Sequence, residues 1–148
     1  MKKVYFKRDY VTIYYSEEKS LGGAVWSGFM NSEEFREAVW QCIKVTNEFQ
    51  LTHWLADNRG LKAIRQADQA WMLQVAGPEM AKSSLRKMAT LIPADIFGQM
   101  ALESLFTKGN DFIRFDNAFF KNESEALLWL LTDTPYSSIK HTDSHQPA

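Results

Sequence analysis

The sequence has few of the features that mark secreted, membrane-embedded or nucleic-acid-binding proteins. Cys42 is its only cysteine, so the chain cannot form an internal disulfide, which fits a reducing cytoplasm. It has no apolar run long enough for a signal peptide or a membrane span. Its 17 basic and 18 acidic side chains are mixed along the chain, so no strong field favours nucleic acid or an anionic membrane. We therefore expect a soluble cytoplasmic protein.

Residues suited to metal binding or catalysis are also scarce. His53 stands alone beside an apolar run, and His141 and His145 lie near the end of the chain, so no ligand cluster is visible. Cys42 lies in an apolar helical stripe without a basic neighbour, which favours a core role over a nucleophilic one. There is no glycine-rich phosphate loop and no nucleophile elbow, although a triad assembled in space stays open. We expect no cofactor, no metal and no enzymatic activity.

Aromatic side chains, in contrast, are abundant. They make up 14% of the 148 residues and include five tryptophans, more than a core of this size readily hides. We expect residues 1–132 to form one domain and the polar residues 133–148 to be a disordered tail. The excess of aromatic side chains predicts a homodimer with an isologous, aromatic-rich interface.

Strand-like and helix-like segments alternate along the domain. The strands are predicted at residues 4–7, 10–15, 21–26, 52–57, 87–92 and 111–116. Helices are predicted to begin after Asn31, near Ile64 or Arg65, after Asp95 and after Asn122. This order predicts an α/β fold whose mixed sheet of about five strands has an N-terminal antiparallel hairpin followed by β-α repeats. Residues 52–56, 88–92 and 112–115 should be central strands, with Leu55 and Ile113 almost fully buried.

Two glycine-containing pairs interrupt these patterns. Gly22-Gly23, inside the third strand, indicates a bulge or a close backbone approach, serving either strand curvature or ligand contact. Gly77-Pro78 should end or kink the second helix, which otherwise runs towards Ala81, because proline lacks the amide hydrogen and clashes with the preceding turn.

The best candidates for a functional site lie in residues 51–71, LTHWLADNRGLKAIRQADQAW. Asp57, Asn58 and Arg59 are predicted to form a polar loop where a buried strand ends, and the carboxyl ends of parallel strands are where α/β proteins bind ligands and partners. Asp57 and Arg59 have two interpretations. In the structural interpretation, Asp57 caps this loop or accepts backbone N–H bonds, and Arg59 pairs with a surface carboxylate. In the functional interpretation, Arg59, Arg65 and the start of the second helix together attract an anion.

Asp68 and Trp71 complete the set of candidates. They are three residues apart and therefore share one face of the second helix. Trp71 is either a core residue or an exposed aromatic anchor for a partner.

The element order, the length and residues 54–68 resemble the STAS domains, the family of anti-sigma-factor antagonists and their relatives. Asp57, Gly60 and Ile64 match the Asp, Gly and apolar residue of the family motif, but Arg65-Gln66 stands where that motif has Asp-Ser. Further segments are closer to a bacterial branch of STAS-like proteins: Trp26-Ser27-Gly28, residues 54–59 and residues 68–71. The resemblance covers most of residues 10–131 and implies a non-catalytic regulatory domain that binds a protein through the edge of its second helix.

Two functions therefore remain open from the sequence. One is this regulatory protein-binding module, which should be solidly packed and present an exposed patch. The other is a binding protein for a small apolar, lipid-like molecule, whose pocket at the carboxyl ends of the parallel strands would open near Asp57, Pro93 and Asp116. Residues 53–82 contain no serine or threonine, so we expect no phosphorylation switch at the second helix.

Overall fold

The fold is built on one six-stranded mixed sheet. The structure is a computed structural model, and it describes residues 2–109 and 114–139. The strands are β1 (Lys3–Arg8), β2 (Val11–Ser16), β3 (Leu21–Gly28), β4 (His53–Leu61), β5 (Lys87–Leu91) and β6 (Asp116–Phe120). They lie in the sheet in chain order; β1, β2 and β3 are antiparallel, and β3 to β6 are parallel. The predicted α/β fold with its N-terminal hairpin is confirmed.

Helices follow each of the strands from β3 onwards. They are α1 (Ser32–Phe49), α2 (Gln66–Trp71), a π-helical turn (Met72–Ala76), α3 (Gly77–Ala81), α4 (Ile96–Lys108) and α5 (Glu123–Leu131). The predicted N-caps are confirmed: the side chains of Asn31, Asp95 and Asn122 each accept a backbone N–H from the first turn of their helix. At α1, the Glu34 carboxylate also accepts the N–H of Asn31 at 3.0 Å, which completes a capping box. No helix in the described ranges is long and apolar enough to cross a membrane.

The helices cover both faces of the sheet and create two apolar cores. The larger core lies between the sheet and α1, and it includes Trp54 and Ala56 of β4. The smaller core lies under α5 and contains Leu55, Phe120 and Trp129. Leu55 is only 1% exposed, as predicted for a central parallel strand. Ile113 lies outside the described residues.

Three segments differ from the sequence predictions. Asp57, Asn58 and Arg59 belong to β4 and do not form a loop, because β3 continues to Gly28 and pairs with β4 as far as Leu61. The last strand is Asp116–Phe120 instead of 111–116, and it is an edge strand; residues 111–113 lie outside the described ranges. Within the predicted disordered tail, residues 133–139 are folded, since Tyr136 donates a hydrogen bond to the Phe119 carbonyl at 3.1 Å and Ile139 is buried.

The Gly22-Gly23 pair serves close packing between strands. A Cβ atom added at Gly22 would lie 2.5 Å from the Trp54 ring, and one at Gly23 would lie 2.9 Å from the Leu55 carbonyl oxygen. Gly22 pairs with Trp54 across β3 and β4. The absence of a side chain at this position therefore allows the indole of Trp54 to lie against the sheet.

Candidate functional site

The residues predicted from the sequence as one site are divided between the two faces of the sheet. Successive side chains of a strand point to opposite faces. Trp54, Ala56 and Asn58 therefore face the helices α1 and α4, whereas Leu55 and Asp57 face the side covered by α5. Asn58 and Asp57 are neighbours in sequence but not in one site.

Asp57 and Arg59 form a local ion pair on the α5 side of β4. The guanidinium donates from Nε to Oδ1 at 3.0 Å and from Nη2 to Oδ2 at 2.8 Å, and the Arg59 backbone N–H also donates to Oδ1 at 3.2 Å. Burial acts to raise the pKa of Asp57, but these hydrogen bonds and the charge of Arg59 outweigh it, so the pKa lies below its ordinary value. The charge of Arg59 is thus compensated within the strand, which fits a structural role for the pair.

Asp68 connects α2 to the start of α1. Its carboxylate accepts hydrogen bonds from Ser32 Oγ and from Arg36 Nε, both at 3.0 Å, and the residue is only 1% exposed. A carboxylate that is this buried and has both oxygens hydrogen-bonded within the protein is not accessible to a partner. Asp68 therefore fastens two helices together.

Trp71 and Arg65 lie at the two ends of α2. Trp71 is half-buried, makes edge-on contacts with Phe35 and Trp40 at centroid distances of 6.4 and 5.9 Å, and packs beneath the guanidinium of Arg36. Arg65 precedes the helix with an exposed side chain that makes no capping hydrogen bond. Neither residue lines the cavity described next.

An apolar cavity of about 180 Å³ lies between the sheet and the helices α1 and α4. Its floor includes Trp54, Ala56 and Met88 of the sheet, and Phe35 and Phe106 reach it from α1 and α4. None of the described residues that line it carries a charge. The cavity extends under the helices, and Asp57, Pro93 and Asp116, where the sequence predicted an opening, do not line it.

The helix beside the cavity is widened by a π-helical turn. The Gly77 N–H bonds to the Met72 carbonyl five residues earlier, directly before Pro78. Proline cannot donate a backbone hydrogen bond, and its ring would clash with the carbonyl of the preceding turn, so the helix widens here. Of the two predicted outcomes, an end or a kink, the end is excluded because α3 continues the helix to Ala81. The widened turn places Met72, Leu73 and Gly77 in the cavity wall. Such π-turns are frequent at functional sites.

Helix α4 approaches the end of β4 closely. A Cβ atom added at Gly98 would lie 2.9 Å from the Leu61 carbonyl oxygen and 3.0 Å from Pro93 Cβ. Glycine at this position therefore lets the first turn of α4 lie directly on the strand. From there α4 places Leu102 and Leu105 over the cavity.

Besides the indole N–H groups of Trp26 and Trp54, three side chains among the described residues of the cavity wall carry polar atoms. Cys42 is buried, and burial raises the pKa of its thiol well above the usual range, consistent with the predicted core role. Thr90 donates its hydroxyl to Asn117 Oδ1 at 3.4 Å. Asn58 is 7% exposed, and its side chain has no hydrogen-bond partner in residues 2–109 or 114–139.

Asn58 lies at a β-bulge. Val25 pairs with Asp57, and Ser27 already pairs with Gly60, so Trp26 on β3 opposes both Asn58 and Arg59 on β4. Bulges change the direction of side chains and are frequent next to binding sites. Here the bulge allows Leu61, as well as Asn58, to line the cavity.

Other kinds of site find no support in the described geometry. No group of three or more His, Cys, Asp or Glu side chains in the described ranges is placed to hold a metal ion. The chain matches no family model, and no curated protein or solved structure is significantly similar to it. The functional interpretation therefore depends on the cavity and its surroundings.

Proposed function

We propose that this protein binds a small apolar molecule in the cavity between the sheet and the helices α1 and α4. The observation that carries this proposal is a cavity of about 180 Å³ beside the larger core, whose described lining residues are mostly apolar and carry no charge. Small-molecule sites are concave, mostly apolar and contain few polar groups, and this cavity has that character.

The cost of such a cavity supports the proposal. Protein interiors are close-packed, and a void destabilises the fold by about 24 cal/mol per Å³. For 180 Å³ this gives an upper bound of about 4 kcal/mol, because the cavity is partly open to the surface. A bound apolar molecule restores the missing contacts, so binding offsets this cost.

The size of the cavity indicates the size of the ligand. An apolar protein cavity of about 150 Å³ accommodates benzene. At about 180 Å³, this cavity suits a substituted aromatic ring or a short branched hydrocarbon better than a long acyl chain. The ligand class is therefore a small apolar compound.

Toluene is a suitable first probe. Isothermal titration calorimetry of the purified protein should give one binding site with a dissociation constant of about 1 mM or below, equivalent to about −4 kcal/mol. Binding should also change the fluorescence of Trp26 and Trp54, which line the cavity. Absence of any saturable binding would contradict the proposal.

A regulatory protein-binding function is a second candidate. The STAS resemblance implies binding through the edge of the second helix, whereas the exposed apolar surface that supports protein binding lies on α4. Ile96, Phe97 and Met100 on α4 are 60, 68 and 58% exposed, and exposed apolar clusters often mark interaction sites. In capture experiments from the native host, a specific partner should bind the wild type but not Phe97→Ser. The control Leu128→Ser removes an exposed apolar side chain from α5 and should still capture that partner. Loss of capture in both variants, or in neither, would speak against this surface.

A further inference from the structure

The side chain of Asn58 is an unusual component of an apolar cavity. It is more than nine-tenths buried, lines the cavity and has no hydrogen-bond partner among the described residues. Buried polar groups are nearly always hydrogen-bonded, because an unpaired buried amide costs about 1–3 kcal/mol. The amide is not sealed from the cavity, so water or a ligand group in the cavity supplies its partner.

The rest of the wall restricts the chemistry of that partner. No charged side chain among the described lining residues would serve as a counter-ion for an ionised ligand group, and burying an unpaired charge is costly. Thr90 already donates its hydroxyl to Asn117, and the indoles of Trp26 and Trp54 can only donate, so the Asn58 amide is the side chain in the wall that offers a ligand both a donor and an acceptor. An amide both donates and accepts hydrogen bonds, so it suits a hydroxyl, a carbonyl or a neutral amide.

The position of Asn58 also fits an anchoring role. Trp54 and Ala56 precede it on the same face of β4 and provide apolar floor, and the bulge that opposes Trp26 holds Asn58 at the end of this floor. A ring lying over Ala56 would bring one polar substituent towards Asn58.

We propose that Asn58 is the polar anchor of the cavity and that the ligand is a neutral, ring-sized apolar molecule with one hydrogen-bonding group, such as a phenol, an alcohol or a ketone. This inference rests on the proposed binding function. It adds that Asn58 determines specificity, and that anions of the same size, such as carboxylates, are excluded.

Three compounds with one ring size test the inference by calorimetry: toluene, p-cresol, which adds a hydroxyl, and p-toluate, which adds a carboxylate. In Asn58→Leu, the affinity of p-cresol relative to toluene should fall by roughly tenfold, the effect of losing one buried hydrogen bond. The control Asn47→Leu makes the same change at an exposed position of α1 and should leave this ratio unchanged. The wild type should bind p-toluate at least about 100-fold more weakly than p-cresol, because its charge would be unpaired.

Thermal unfolding without ligand separates anchoring from a structural role. Asn58→Leu should raise Tm, because it removes an unpaired buried amide and adds apolar contacts, whereas loss of a structural hydrogen bond would lower Tm. If Asn58→Leu does not fold, Asn58→Ala serves for the same ligand ratio.

The outcomes are distinguishable. If toluene and p-cresol both bind but their affinity ratio is the same in the Asn58 variants, the anchor is wrong and the binding function stands. Comparable binding of p-toluate and p-cresol would overturn the neutral ligand class. If neither toluene nor p-cresol binds the wild type, the binding function and this inference both fail.

Discussion

Filling the cavity should stabilise the protein, which makes Ala56→Leu a sensitive test of the packing. Ala56 lies in the cavity floor between Ala24 of β3 and Thr90 of β5, so small side chains surround it within the sheet. The substitution replaces a methyl group by an isobutyl group that extends into the cavity. Because the space is already open, the larger side chain should enter it without displacing the helices.

The expected magnitude follows from the buried area. Each buried CH₂ group contributes about 0.8 kcal/mol, so the added carbons stabilise the folded state by at most about 2.4 kcal/mol. Incomplete fit reduces this, and we expect an increase of about 1–2 kcal/mol in the free energy of unfolding. This lies below the upper bound of about 4 kcal/mol for a fully enclosed void of 180 Å³.

Urea denaturation with linear extrapolation measures this change. Ala67→Leu is the matched control, because Ala67 is exposed on α2, where such a change stays within about 0.5 kcal/mol. Ala56→Leu should also weaken toluene binding, whereas Ala67→Leu should not. A loss of about 1–3 kcal/mol in Ala56→Leu, the usual effect of overpacking a filled core, would refute the reasoning.

Three other predictions concern the framework. Asp68→Ala should lower the free energy of unfolding in urea by about 1–3 kcal/mol, because both hydrogen bonds between α1 and α2 are lost; a change within about 0.5 kcal/mol would contradict the fastening role. Burial and the charge of Lys87 lower the pKa of His53 and outweigh a backbone hydrogen bond that raises it. As the pH falls, His53 is therefore protonated at a higher pH in the unfolded chain than in the folded protein. The free energy of unfolding should therefore fall as the pH drops from the unfolded pKa of about 6.5 towards the lower folded pKa. His53→Gln should reduce the difference in this free energy between pH 7.5 and 5.5. An equal difference in the wild type and the variant would refute this role of His53. The homodimer inferred from the aromatic content remains a prediction, and sedimentation equilibrium should show a dimer that Phe97→Ser weakens; a monomer at high micromolar concentration would contradict it.

The parts of the fold that depend on local chemistry were predictable from the sequence. Asn31, Asp95 and Asn122 were recognised as helix starts because a side chain that caps a helix bonds to backbone only two or three residues away. Leu55 was recognised as buried because its apolar run has the length and composition of a central strand.

Features set by contacts between distant segments were not predictable in the same way. Asp57, Asn58 and Arg59 have the composition of a loop, yet they are in β4 because β3 extends alongside them. The opposite orientations of Asp57 and Asn58 follow from that strand assignment.

The cavity was anticipated only as one of two possibilities, and its position was not. A void depends on how strands and helices far apart in sequence fit together, and no single segment encodes it. The nearest local signals were Gly77-Pro78, which produces the π-turn in the wall, and Gly98, which lets α4 approach β4.

Methyl NMR with ¹³C-labelled methionine tests the central claim most directly. Met72, Met80 and Met88 line the cavity, whereas Met100 is exposed on the outer side of α4. With toluene bound, the account predicts intermolecular nuclear Overhauser effects from the ring to the methyl groups of cavity methionines, above all Met72 and Met88, and none to Met100. Contacts to Met100 alone, or a bound ligand without contacts to the cavity methionines, would contradict an internal apolar binding site.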